Sequence, residues 1–157
     1  MTHASISPAH DADACRGRRH ARAQHLIAAD EHALLELEVL LATLPMCATG
    51  RVFIEIPDAG WVRPLAAPSR MTVTWLARSA RSGAPGSARM CAAGEALTRA
   101  VTAYADEALC ENESACGTSI SLLGGFSSSA DIVEHLTRRR GLRRDAITVP
   151  DAFAAYV

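Results

Sequence analysis

Three short clusters hold the residues best suited to chemistry. Asp30-Glu31-His32 follows an apolar run and precedes a helical pattern. A helix amino end there would offer free backbone N–H groups to a pyrophosphate. The turn has no G-x-G-x-x-G, however, and two carboxylates repel phosphate, so Asp30 reads equally well as an N-cap. Arg78, Ser79 and Arg81 form the second cluster. The arginine fork of donors matches phosphate geometry, although a solvated loop would carry the same residues. Gly124-Gly125-Phe126 is the third. The two glycines would let a ligand ring approach the backbone, or simply form a tight turn, and Phe126 offers a ring to stack. The sequence shows no Ser/His/Asp elbow and no His/Cys metal spacing. His135, four residues after Asp131, reads as a packing histidine.

The elements that must position these clusters alternate between strand and helix. His25–Ala29 has strand length, and Leu34, Leu37, Leu40, Leu41 and Leu44 repeat at helical spacing up to Pro45. Residues 51–56 (RVFIEI) and 71–77 (MTVTWLA) read as strands. Pro57, Pro64 and Pro68 break the stretch between them. A Ser/Gly/Pro loop, 79–87, leads into a helix predicted from Met90, Ala93, Leu97, Ala100, Val101, Tyr104 and Ala108, with Cys91 inside it. Residues 118–123 are a fourth strand. Ser128 and Asp131 resemble a capping box for a helix that buries Ile132, Val133 and Leu136. Arg138, Arg139 and Arg140 close that helix, and Gly141 supplies a left-handed cap. Residues 146–149 form a fifth strand. The pattern predicts a single Rossmann-like three-layer α/β domain with a five-stranded parallel sheet over 25–157. Residues 1–24 read as a flexible arm. Ligands of such sheets bind beyond the carboxyl ends of the strands, where the strand order reverses.

Composition narrows the classes. The chain has 157 residues, 49% of them hydrophobic, enough for one core. The net charge of −1 argues against general attraction to nucleic acid or membranes. Arg138–Arg144 has a sufficient explanation as a helix end and is not read as a nucleic-acid site. All basic residues are arginine, which reads as coding bias. Five cysteines without a Cys-x-x-Cys pair argue against a zinc ribbon or disulfide framework; Cys110 and Cys116 could pair across a loop, but a reduced state is expected. No apolar run spans a membrane and no secretory signal is evident, so a cytoplasmic protein is expected.

The stretch Ala29-Asp30-Glu31-His32-Ala33-Leu34 resembles the "ADE-x-AL" turn of siderophore-interacting proteins. Leu44-Pro45, Phe53-Ile54-Glu55-Ile56-Pro57-Asp58 and Val73-Thr74-Trp75-Leu76-Ala77-Arg78 follow in the order and spacing of that family. Beyond residue 80 the match thins. Leu123-Gly124-Gly125-Phe126 stands where the family has "W-x-AGE", with Phe126 replacing the glutamate. Arg138-Arg139-Arg140-Gly141-Leu142 resembles its basic helix end, and the closing "GYWR" has no counterpart.

The resemblance implies the nicotinamide-nucleotide-binding half of a ferredoxin-reductase-like ferric-siderophore reductase. Residues 30–32, 78, 79, 81 and 124–126 would then bind the cofactor. Arg78 and Arg81 would read an adenosine 2′-phosphate, hence NADPH, and Gly124-Gly125 would face the nicotinamide. Too few residues precede the first strand for a flavin-binding barrel, so FAD is expected only through a flavin-containing partner or a homodimer. Ferric siderophore is the implied substrate. The other reading is a non-catalytic interaction module derived from such a reductase that no longer binds nucleotide.

Overall fold

The computed structural model describes residues 24–109 and 117–156. Residues 1–23 of the proposed arm and the Cys110–Cys116 loop lie outside these residues, while Gln24, placed in the arm from sequence, begins the first strand. Five strands form one all-parallel sheet: β1 (Gln24–Asp30), β2 (Thr49–Ile56), β3 (Arg70–Ala77), β4 (Thr118–Leu122) and β5 (Ile147–Thr148). Their order is β3-β2-β1-β4-β5. Among the described residues three α-helices connect them: α1 (Leu34–Thr43), α2 (Glu95–Ala108) and α3 (Phe126–Glu134). The predicted α/β class and strand count hold, and the fifth strand is shorter than expected.

The chain steps from β1 to β2 to β3 in one direction, then returns across β2 and β1 to reach β4. Right-handed crossovers taken in opposite directions put their helices on opposite faces. Accordingly α1 packs Leu34, Leu37 and Leu41 on Ile27, Val52, Ile54 and Ile56. On the other face α2 and α3 pack Leu97, Val101, Ile132 and Leu136 on Leu26, Phe53, Ile120 and Leu122. Each fully buried Leu or Ile contributes roughly 1.5–3 kcal/mol. The apolar runs of β1 and β2 reflect a central strand covered on both sides.

Helix ends differ from expectation in informative ways. The N-cap of α1 is Ala33 and no side chain caps it. Asp30 instead accepts the His32 N–H at 3.0 Å, forming a turn ahead of the helix. α1 stops at Leu44, whose extended backbone is what a residue before proline requires. α2 begins at Glu95, not Met90. Gly94 precedes it at φ +84, a left-handed conformation that interrupts the apolar periodicity. Met90 is exposed, and Cys91 lies in the loop, buried against Ser82. No capping box opens α3: its N-cap is Gly125, and Ser128 Oγ donates back to Gly125 O at 2.9 Å. The helix closes through a π turn at His135–Arg139 with Gly141 at φ +68, as the basic end and glycine suggested. His135 packs as expected, but its partner is Asp106 on α2, at 2.8 Å.

Candidate functional site

The strand order reverses between β1 and β4, and ligands of such sheets bind beyond the carboxyl ends of the strands at that point. Asp30 ends β1, and Gly124-Gly125 follows β4. The structure joins them directly: Asp30 Oδ2 accepts the Gly125 N–H at 2.7 Å. The two glycines are not equivalent. A Cβ on Gly124 would stand 2.9 Å from Leu97 Cδ2 and 3.3 Å from Ser128 Oγ, so packing on α2 and α3 requires its absence. Among the described residues a Cβ on Gly125 would meet only Asp30 Oδ2, at an ordinary 3.5 Å, so these residues leave space beside Gly125. Neither Ala33 nor Gly125 caps its helix with a side chain, and Asp30 stands between the two helix starts, accepting the N–H of His32 ahead of α1 and that of Gly125 at α3. His32 stands in solvent, with 86% of its side chain exposed.

Phe126, at the start of α3, is 44% exposed. Its ring meets Phe153 edge-on at 5.5 Å and Tyr156 at 6.3 Å, forming an aromatic group with the carboxyl-terminal turns.

The second predicted cluster divides. Arg78, directly after β3, points inward. Its guanidinium donates to Glu31 Oε1 at 2.7 Å and Oε2 at 2.9 Å, and to Glu55 Oε2 at 3.3 Å. This fork pairing with Glu31 is the strong bidentate geometry. Burial alone would raise the Glu31 carboxyl, but hydrogen bonds from Arg78 and from its own backbone outweigh it and hold the group below its ordinary range. Its hydrogen bonds to Glu31 in turn raise the Arg78 guanidinium further. Ser79 and Arg81 are exposed on the loop beyond. They line a groove of about 400 Å³ with Arg89, and Arg81, Ser82 and Arg99 line a neighbouring one of about 450 Å³. Arg99 is tied to the Ser82 carbonyl at 2.7 Å.

Glu55 was missed by sequence reasoning. It is 0% exposed and faces the amino end of α2. Its Oε2 accepts the Gly94 N–H at 2.5 Å, and its Oε1 accepts those of Ala96 at 2.9 Å and Leu97 at 3.2 Å. A strand carboxylate thus caps α2 across the sheet and satisfies donors that otherwise have no intrahelical partner. The signal was available: a lone acid inside an apolar central strand must be buried and therefore paired.

Among the described residues no group of three or more His, Cys, Asp or Glu could hold a metal ion. No helix of the described residues is long and apolar enough to cross a membrane.

Comparison with known proteins agrees with this geometry. The siderophore-interacting protein family matches residues 22–150. The fold resembles the siderophore-interacting protein SipS from Aeromonas hydrophila, with a TM-score of 0.58 and 17% identity over 82% of this chain and 50% of that one. It also resembles a siderophore utilization protein from T. fusca, with a TM-score of 0.57 and 26% identity over 80% of this chain and 42% of that one. The matched part is therefore half or less of the length of those two solved structures. With most of its residues matched, this chain belongs to the siderophore-interacting protein family.

Proposed function

We propose that this chain binds a nicotinamide nucleotide along the carboxyl edge of its sheet, as the nucleotide-binding portion of a ferric-siderophore reductase system. The observation that carries this reading is the reversal of strand order between β1 and β4, with Gly125 beside it. Gly125 leaves room there for a flat ring, and the amino ends of α1 and α3 converge beside it. Asp30 holds the β4–α3 turn in place from the end of β1. Ser79 and Arg81, on the grooves beyond β3, suit the adenosine end. Phe126 would border the ring. When bound, a nicotinamide nucleotide supplies hydride, and splitting it into the single electrons that ferric iron needs calls for a flavin. That flavin is assigned to a partner or a second copy.

Calorimetric titration with NADH and NADPH, with and without FAD, tests the reading. Saturable binding is expected for the wild type. Gly125→Leu fills the space beside the β4–α3 turn, and binding should vanish while the melting temperature holds. Absence of binding under all conditions would refute the proposal. It would favour the second reading, an interaction module without nucleotide. The specific observation on that side is that Arg78 is already held by two carboxylates and Asp30 is already bonded to the Gly125 N–H.

A further inference from the structure

Arg78 is the cation best placed to read a phosphate at the end of β3, and its charge is already committed. Glu31 takes it in bidentate fashion, and Glu55 takes a third bond. The two acids are not equally free to leave. Glu55 is fixed by three backbone N–H groups of Gly94, Ala96 and Leu97. Glu31 sits on the β1–α1 turn, and its two short bonds to a side chain are those to Arg78. Arg78 and its two acids already carry a combined charge of −1. A phosphate dianion arriving at Arg78 must displace Glu31 and then stand beside two carboxylates. Arg81 and Arg89 lie nearby but in solvent, where screening leaves an ion pair worth little.

We propose that Glu31 is a specificity-determining residue that sets this site against a phosphorylated ribose. The inference rests on the nucleotide reading above and reverses the NADPH preference that Arg78 suggests in sequence. Glu31 acts as an internal competitor: it occupies the guanidinium fork that a 2′-phosphate would use. An unphosphorylated adenosine ribose makes no demand on that fork and binds without breaking the pair.

The test compares two probes, 5′-AMP and adenosine 2′,5′-bisphosphate, by calorimetry on the wild type and Glu31→Gln. The wild type is expected to bind the bisphosphate no tighter than 5′-AMP. Glu31→Gln should raise the ratio of bisphosphate to 5′-AMP affinity about tenfold or more, the worth of one charge-assisted hydrogen bond. That ratio isolates specificity, since a general loosening would move both affinities together. A folded Glu31→Gln with an unchanged ratio overturns the inference and leaves the nucleotide reading intact. Should the variant not fold, the wild-type ratio decides: a clear preference for the bisphosphate overturns the inference, and its absence supports it. Failure of the wild type to bind either probe overturns both.

Discussion

Removing the Glu55 carboxylate attacks the carboxyl edge at its most connected point. Glu55→Ala takes the acceptor from three N–H groups at the start of α2, two of them on the buried residues Ala96 and Leu97. Loss of a helix cap costs about 1 kcal/mol. Each buried N–H left without an acceptor adds about 1–3 kcal/mol unless water enters. Arg78 keeps Glu31 and loses its third bond. The sum is about 3–7 kcal/mol, reaching the range found when one member of a buried charged network is removed, and a large share of the ~5–15 kcal/mol that holds a domain folded. Glu55→Gln keeps the volume and one acceptor oxygen, but turns an NH₂ toward backbone donors, so about half that loss is expected. Urea unfolding followed by circular dichroism and tryptophan fluorescence gives both values. A loss below about 1 kcal/mol for Glu55→Ala, at unchanged slope with denaturant, would refute the reasoning and mean that water replaces the carboxylate at little cost.

Two further outcomes follow from the amino end of the sheet. Burial lowers the proton affinity of His25, whose Nε2 is enclosed without a partner among the described residues. The unfolded chain then binds the proton more readily, so stability should fall as pH drops through about 6.5 and level off once the folded form also protonates. His25→Gln should flatten melting temperatures measured between pH 7.5 and 5.5; an equal pH dependence in both proteins would contradict this. Gly50 pairs with His25 at φ +141, and a Cβ there would stand 1.9 Å from His25 O. Gly50→Ala should therefore cost more than about 2 kcal/mol in chemical denaturation, and a near-neutral result would mean that β1 and β2 can shift apart.

The parts of the fold written in local patterns were legible. The apolar runs of β1 and β2 and the leucine spacing of α1 predicted those elements to within two residues. Gly141 and the arginines before it also ended their helix as expected. What failed was decided elsewhere in space. Cys91 fits the periodicity of α2, yet Gly94 breaks the helix because a carboxylate from β2 caps it four residues later than Met90. Ser128 and Asp131 have capping-box spacing, but the backbone turn at Gly125, held by Asp30, starts α3 three residues earlier. Of the candidate site residues, Asp30 and Gly125 meet, as do Glu31 and Arg78, while Ser79 and Arg81 lie out on the loop. Charge type alone could not tell an arginine that waits for a ligand from one already paired across three strand ends.

The bonds that close the carboxyl edge join residues far apart along the chain. Asp30 and Gly125 are separated by 95 positions, Glu31 and Arg78 by 47, and Glu55 and Leu97 by 42. Closing such loops carries an entropy cost that must be met before the contacts give anything back. The β1–α1–β2 unit can assemble from near neighbours, whereas the Asp30–Gly125 closure exists only once β4 has joined β1. A site with that property has no counterpart in a partly folded chain. Any ligand it accepts binds the native state alone, and so raises the stability of the whole domain in proportion to its concentration, not that of one loop.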